Sequence, residues 1–480
     1  MRSLRHLAVT CVAVLAACSS SNGADGGGDR NGTTDAGADG GGSATPPPDA
    51  GAPSAKLEDI RHIVVVVLEN WSFDSLYAEF DGADGLAGAT KAAPQIDPAT
   101  GQAYATLPET ETHLPPGLPN APFALDAYLG VDQDTSLDLT TKFYQEQAQI
   151  HGGKMDMFVG VSNAKGLTMG YFHTADLPLA REAKKYTLCD RFFHGVYGGS
   201  FANHIFLVSA ALARFDGAPA SMKAVLDAQG APVADANGKL LDGPLTPDGY
   251  AVGTVYSVNS PHVVPAVPPE QLLPSQTMPT IGDRLSDKNI DWAWYSGGWN
   301  DALAGAPTKG LFQYHHQPFV YFAKYADGTP GRAAHLRDET EFMAAAAAGT
   351  LPAVSFVKPD GLDNEHPNYT DVITGEDHAR ALIDAVRNGP NWADTAIIVT
   401  YDENGGFWDH VAPPRGDAWG PGTRVPTIVI SPFAKKGFVD HTAYDTAAIT
   451  AFIERRWQLA PLGTRDAAAA DMSNAFDFAK

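Results

Sequence analysis

Two short apolar runs that stop abruptly at acidic side chains constrain this chain more than any other feature. Residues 62–68 read His-Ile-Val-Val-Val-Val-Leu and are followed at once by Glu69 and Asn70. Residues 396–401 read Ala-Ile-Ile-Val-Thr-Tyr and are followed by Asp402, Glu403, Asn404, Gly405 and Gly406. Runs this short, continuous and rich in β-branched residues suit strands buried on both faces, since a half-exposed strand would alternate apolar with polar. Residues 353–357, 290–295 and 425–430 have the same character. Pro426 weakens the last as a central strand, because it has no amide to give the ladder. Helical spacing lies between these runs. Ala379, Leu382, Ile383 and Val386 share one face before Gly389-Pro390 ends the pattern, and Ile449, Phe452, Ile453 and Trp457 share another. The expectation is an α/β fold with a mostly parallel central sheet flanked by helices. Such sheets bind ligands at the carboxyl ends of their strands, which is where the acidic residues fall.

Glu69, Asn70, Asp402 and Glu403 are hard oxygen donors of the kind that suit a divalent cation. A single acidic pair after a strand is usually a solvated turn; two such strand ends in one chain are less ordinary. A third element is Gly198-Gly-Ser-Phe-Ala-Asn-His204, running into apolar residues 205–211. The glycines let the backbone turn tightly, and Ser200 then opens a helix whose N-terminus favours anions. On this pattern alone Ser200 is either a helix N-cap or a nucleophile. Histidines form a fourth group: His315 and His316 before Gln317-Pro318, His366 in Asn364-Glu-His-Pro367, and His410 after Asp409. A histidine beside a phosphoryl group can donate a hydrogen bond or protonate a leaving alcohol.

The N-terminus reads as a secretion signal, with a basic start, apolar residues 7–15 and Leu15-Ala-Ala-Cys18. The apolar run is too short for a membrane span. Cys18 after Leu-Ala-Ala resembles a bacterial lipoprotein box, which implies cleavage before Cys18 and acylation of its thiol. Residues 1–17 are then the signal, residues 18–56 a tether, and residues 57–480 one catalytic domain. The tether is Gly, Asp, Ala, Ser, Thr and Pro, with almost nothing to bury. Of the three cysteines, Cys11 leaves with the signal and Cys18 carries lipid, so Cys189 stands alone and no internal disulfide is expected. A formal net charge of -23 argues against a nucleic-acid partner. The expected location is outside the cytoplasm, membrane-anchored, periplasmic or on the cell surface.

Several of these motifs together resemble the bacterial phosphoesterase family, which includes phospholipases C and AcpA-type acid phosphatases. Glu69-Asn-Trp-Ser-Phe-Asp74 is similar to its opening motif, and Thr400-Tyr-Asp-Glu-Asn-Gly-Gly-Phe-Trp-Asp-His410 to its second signature. Asn364-Glu-His-Pro367 and Gly422-Thr-Arg-Val-Pro426 also match. Gly152-Gly-Lys-Met-Asp156, residues 198–204 and Phe312-Gln-Tyr-His-His-Gln-Pro318 look like the acid-phosphatase branch. The resemblance implies an alkaline-phosphatase-like fold and one divalent metal ion surrounded by Glu69, Asn70, Ser200, Asp402 and Glu403. It implies Ser200 as nucleophile through a phosphoserine intermediate. His315, His316 and His366 bind the phosphoryl group or protonate the leaving oxygen, and His366 is the expected proton donor. Asn203, His204 and His410 are expected to contact substrate. Where relatives often carry a histidine after an aspartate, this chain has Asp138-Leu-Thr-Thr141, so Thr141 stands in for a pocket histidine.

Hydrolysis of a phosphate monoester is therefore the first expectation. A phospholipase C acting on phospholipid phosphodiesters is the alternative. A non-catalytic surface lipoprotein on the same scaffold is a third reading, set against the retention of Glu69, Ser200, Asp402 and Glu403. A sulfatase is disfavoured, because no Cys-x-Pro-x-Arg segment is present.

Overall fold

The computed structural model describes residues 57–87, 92–109, 114–262, 267–305 and 311–478. The expected signal, Cys18 and the tether lie outside the described residues. The central sheet has eight strands: β1 (His62–Leu68), β2 (Thr187–Cys189), β3 (Trp292–Ser296), β4 (Leu336–Asp338), β5 (Val354–Lys358), β6 (Thr395–Tyr401), β7 (Thr427–Ile430) and β8 (Phe438–Asp440). Their spatial order is β8-β2-β7-β6-β1-β5-β3-β4. Only β7 runs against both of its neighbours. The other pairings are parallel, so the fold is α/β with a mostly parallel sheet.

Residues 63–68 are all buried, as the unbroken β-branched run requires of a strand covered on both faces. Burying each such valine or isoleucine contributes about 1.5–3 kcal/mol. Pro426 proves no obstacle to a central strand. β7 begins one residue later, at Thr427, so the missing amide falls outside the ladder while the strand sits between β6 and β2.

Among the helices of the described residues, those that bear on the site and its sheet are α1 (Phe143–Ile150), α2 (Pro178–Lys185), α3 (Ser200–Ser209), α4 (Val372–Arg387) and α5 (Thr446–Trp457). α4 starts earlier than its apolar spacing indicates, because the Asp371 side chain accepts from the Thr374 amide and caps it there. All ten residues of α3 are buried. It is held against α5, where the Thr450 hydroxyl donates to the Leu207 carbonyl at 3.1 Å.

Register decides where the chemistry lies. Leu68 is paired with Tyr401 at the last position shared by β1 and β6. Glu69 and Asp402 therefore leave the sheet side by side, and the Asp402 amide donates to the Leu68 carbonyl at 3.1 Å. On the other flank of β1, Val66 pairs with Val357, which sets Lys358 beside Val67. Three carboxyl ends thus bring Glu69, Asp402 and Lys358 to one place.

Candidate active site

Glu69 is fully buried at the centre of the site. Its Oε1 forms an ion pair with the Lys358 ammonium and lies 3.0 Å from His316 Nε2. Its Oε2 accepts from the Ser200 hydroxyl at 3.3 Å. Burial pushes this carboxyl up, but His316 and Lys358 outweigh it and hold Glu69 well below the usual carboxylate range. Lys358 is itself fully buried, with Nζ also 3.2 Å from the Val67 carbonyl.

Asn70 turns the chain with φ at 68°, a left-handed conformation that asparagine tolerates better than most residues. Its Nδ2 donates to Glu403 Oε1 at 2.9 Å and lies 3.2 Å from His366 Nε2. Gly405 is required here: a Cβ on it would stand 1.8 Å from the Asn70 carbonyl oxygen. The Gly405 amide in turn donates to Glu403 Oε2 at 2.6 Å. Both Glu403 oxygens are therefore taken by protein donors, so Glu403 orients Asn70 and the turn beside Asp402.

Asp402 Oδ1 accepts from the Glu403 amide at 2.8 Å, while Oδ2 has no hydrogen-bond partner. Burial, reinforced by the Glu69 charge, pushes the Asp402 carboxyl up, and burial with Asp402 does the same to Glu403. His204, one turn into α3, gives Nδ1 to the Ser200 carbonyl at 2.7 Å and stands 3.8 Å from Asp402 Oδ2. It stacks on His316 with ring centroids 4.9 Å apart. Burial, and then His316 and Lys358, hold His204 well below its ordinary value, so its imidazole is neutral.

Ligand atoms of Glu69, His204 and Asp402 lie within 4.8 Å of one another. Asp402 Oδ2, Asn70 Oδ1 and His204 Nε2 are all buried without hydrogen-bond partners. Unsatisfied polar atoms of this kind are costly to bury unless something else engages them. A neutral imidazole, two carboxylates and an amide oxygen suit a borderline or hard divalent cation, so the residues present fit a metal ion.

Ser200 is the first residue of α3, and Gly199 before it is the cap, without a side-chain cap bond. The N-cap reading of Ser200 is thereby excluded. Its side chain turns to Glu69 and to a cleft of about 710 Å³, with Asn70, Thr141, His315, His366 and Tyr369 on the lining. Thr141 does occupy the cleft wall, against Gly199. His366 stacks on Tyr369 at 4.1 Å and gives Nδ1 to the Pro367 carbonyl at 2.6 Å.

The other expected residues divide. His315 lines the cleft, whereas His316 lies behind Glu69, buried and outside the cleft lining. Asn203 does not line the cleft. Its side chain accepts from the Val196 amide at 2.9 Å and donates to the Val196, Gly198 and Gly199 carbonyls, bracing the turn before Ser200. His204 belongs with the acids rather than in the cleft. His410 also lies elsewhere: Nδ1 is 2.7 Å from Asp74 Oδ2, in a group where the buried Arg424 guanidinium bonds Asp409 and Asp74. That guanidinium supplies the countercharge to Asp74 and Asp409, making the group a structural ion-pair cluster. Sequence reasoning missed Lys358. The strand reaching Val357 is legible, but lysine is not a metal donor, so the residue at its carboxyl end attracts no notice.

A serine hydroxyl at the start of a buried helix, beside carboxylates and a neutral imidazole, is equipment for attack on a phosphoric ester. Comparison with known proteins gives the same class. The pattern of the phosphoesterase family matches residues 60–460, and the chain belongs to that family. It is a phosphoric ester hydrolase. It is 27% identical over 468 residues to phospholipase C A of Mycobacterium tuberculosis, covering 88% of this chain and 78% of that enzyme. It is 24% identical over 467 residues to the non-hemolytic phospholipase C of Pseudomonas aeruginosa, covering 88% and 58%. To the non-specific phospholipase C6 of Arabidopsis thaliana it is 25% identical over 456 residues, covering 86% and 71%. A solved structure of a Vibrio parahaemolyticus protein in the alkaline phosphatase superfamily overlaps with a TM-score of 0.32 at 9% identity, covering 68% of this chain and 69% of that one.

Proposed function

We propose that the chain hydrolyses phosphodiesters of lipids, in the manner of a phospholipase C, through a covalent phosphoserine on Ser200. The observation that carries this reading is the cleft over Ser200. It is far larger than a phosphate group needs, and its lining includes Phe143, Tyr144 and the aliphatic side chains of Val225, Leu240 and Leu241. Those three aliphatics are 48%, 42% and 36% exposed, an apolar lip suited to the glycerol and acyl portion of a leaving group. The lip is held to α1, because Asp242 bonds Lys142 at 2.9 Å and Gln145 at 2.5 Å. Phosphate monoesters are the second reading, favoured by the Gly-Gly-Ser and His-His-Gln-Pro segments. A membrane tether through lipidated Cys18 would keep the cleft at a lipid surface.

One divalent cation is proposed, held by Glu69, Asp402 and His204 with Asn70 beside them. When bound, it would supply Lewis acidity and lower the pKa of a nearby hydroxyl. The protein's own residues do the rest. Glu69 Oε2 accepts the Ser200 hydroxyl hydrogen bond, turns the oxygen toward the cleft and takes the proton as Oγ attacks. The N-terminal end of α3 faces the phosphoryl oxygens with its positive pole. The Ser200 Oγ–P bond forms as the bond from phosphorus to the leaving alcohol oxygen breaks, and that oxygen takes a proton from His366. Water then attacks phosphorus and gives a proton back to His366, and as the Oγ–P bond breaks Glu69 Oε2 returns to Oγ the proton it took. With Nδ1–H given to the Pro367 carbonyl, the proton passed to the leaving oxygen and regained from water is a second one, carried on Nε2 of His366.

The test compares p-nitrophenyl phosphate, p-nitrophenyl phosphorylcholine and long-chain phosphatidylcholine, with and without chelator. Ser200→Ala is expected to lower kcat on the order of 10⁴-fold or more. Diester preference sustains the lipid reading. Monoester preference moves it to the second. Full turnover by Ser200→Ala would overturn the phosphoserine route.

A further inference from the structure

The turn that presents Ser200 is gripped by a second buried carboxylate, from α1. Glu146 lies on α1, 1% exposed, and is bonded at both oxygens. Oε2 accepts from the Gly198 amide at 2.5 Å. Oε1 accepts from the Thr423 amide at 3.0 Å and stands 2.8 Å from His194 Nε2. His194, fully buried, has its other ring nitrogen 2.9 Å from the Val196 carbonyl. Both nitrogens of this ring face acceptors, so both must donate, and the ring is an imidazolium paired with the Glu146 carboxylate.

The surroundings are closed around the pair. A Cβ on Gly422 would fall 2.2 Å from His194 Cε1 and 2.6 Å from Glu146 Oε1. A Cβ on Gly198, whose φ is +86°, would fall 2.5 Å from the Phe143 amide nitrogen at the start of α1. These contacts leave the turn little freedom. Asn203 braces residues 196–199 from within α3, and the ion pair fixes the same residues to α1 and to the Thr423 segment. α1 also carries Phe143, Tyr144 and Gln145 into the cleft wall. One charged pair thereby locks the nucleophile's turn to the wall against which substrate lies.

We infer that Glu146 and His194 are positioning residues that set the Ser200 oxygen relative to Glu69 and to the bound ester. The inference rests on Ser200 being the nucleophile. Neither residue lines the cleft. The Gly198 amide is committed to Glu146, which keeps the turn from relaxing toward the phosphoryl group. A displacement of about 1 Å in such a constellation lowers turnover about 100-fold.

The test uses full-length protein with Glu146→Gln, Glu146→Asp, His194→Gln and the double variant Glu146→Gln/His194→Gln, beside Ser200→Ala, on p-nitrophenyl phosphorylcholine. The Glu146→Gln change sets an amide NH₂ against donors, and Glu146→Asp retains the charge but withdraws it from Gly198. Expected is a fall in kcat of about 10- to 100-fold with KM changed less than about twofold, in whichever Glu146 variant folds. The double variant should be no slower than the slower single variant, because the two residues act as a unit. Binding of a non-hydrolysable phosphonate should be unchanged. The inference is overturned if folded Glu146 and His194 variants melt at lower temperature yet keep wild-type kcat, which is what a purely structural pair would do. It is also overturned if their losses simply add. Activity of Ser200→Ala would instead sink the phosphoserine reading, a result separable from these.

Discussion

Replacing Lys358 with methionine isolates the electrostatics at the centre of the site. Methionine nearly matches the lysine stem in volume, so no large cavity opens, and the change is chiefly the loss of one buried ammonium. That ammonium is paired with Glu69, and both side chains are fully buried. Removing one partner of such a pair leaves a desolvated charge and costs about 3–5 kcal/mol. Glu69 keeps the His316 contact at 3.0 Å, which places the expectation at the lower end, about 3 kcal/mol for chelated protein. A divalent cation at Glu69, Asp402 and His204 would supply the missing charge. The loss should therefore shrink to about 1 kcal/mol or less when Mn²⁺ or Zn²⁺ saturates the protein, since without the competing ammonium the variant binds the cation more tightly and gains more stability from it by mass action. Denaturation midpoints of wild type and Lys358→Met, each with EDTA and with metal, measure this directly. An equal loss with and without metal would refute the charge argument and leave Lys358 as a packing residue. A loss below about 1 kcal/mol in EDTA would refute the claim that its charge matters.

Two more outcomes are expected from other parts of the molecule. Burial raises the Glu376 carboxyl on α4 to about 8, the Leu179 amide of α2 opposing this at 2.8 Å, and burial with the Glu376 charge raises Glu365 well above its ordinary range. An acid whose folded value is raised binds its proton more tightly in the folded state. Its penalty is absent at low pH and grows as pH rises from the ordinary carboxylate range to about 8. Glu376→Gln should accordingly flatten the fall in stability across that window, by up to about 1.4 kcal/mol per pH unit, and pH-dependent urea midpoints that stay parallel to wild type would refute it. On the cleft lip, Val225→Ser with Leu241→Ser should lower kcat/KM for long-chain phosphatidylcholine about 10-fold or more while leaving p-nitrophenyl phosphate within about twofold, each apolar contact contributing about 1 kcal/mol or more; an equal effect on both esters would sink the lipid reading.

Five of the sheet's eight strands were legible because long buried strands have a signature that survives without context, unbroken β-branched runs stopping at polar residues; β2, β4 and β8, three residues each, are too short to show it. The acidic strand ends were legible for the same reason, and the register of Leu68 with Tyr401 turns two separate motifs into one site. Roles were harder to read than places. His204 and Asn203 fall one residue apart on one helix, yet one turns to Asp402 and the other back over its own turn. Only their rotation about α3 separates a donor in the acidic group from a brace. His410 follows an acidic motif closely in sequence, but Arg424, from a separate segment, draws Asp409 and Asp74 into a structural cluster with it. Glu146 carries no local signal from the middle of a helix, and His194 follows only a two-residue buried strand, Phe192–Phe193, too short to stand out in the sequence.

The charge balance of the site bears on how many cations it takes. Glu69, Asp402 and Glu403 bring three carboxylates into a space where His204 and His316 are both held toward their neutral forms by burial. Lys358 is the one side chain there that is cationic in its ordinary state. Burial raises the Asp402 and Glu403 carboxyls, so a bound cation would draw out their charge, while Lys358 already offsets Glu69. A second divalent ion would meet an ammonium already seated on Glu69 Oε1 and would have to displace it from a fully buried pocket. The cost of stripping an ion pair of one partner in such a place is about 3–5 kcal/mol, enough to lower the affinity of a second ion by more than about 100-fold. The lysine at the end of β5 thus bears on metal stoichiometry as well as stability, and it does so from a strand end that carries no metal donor.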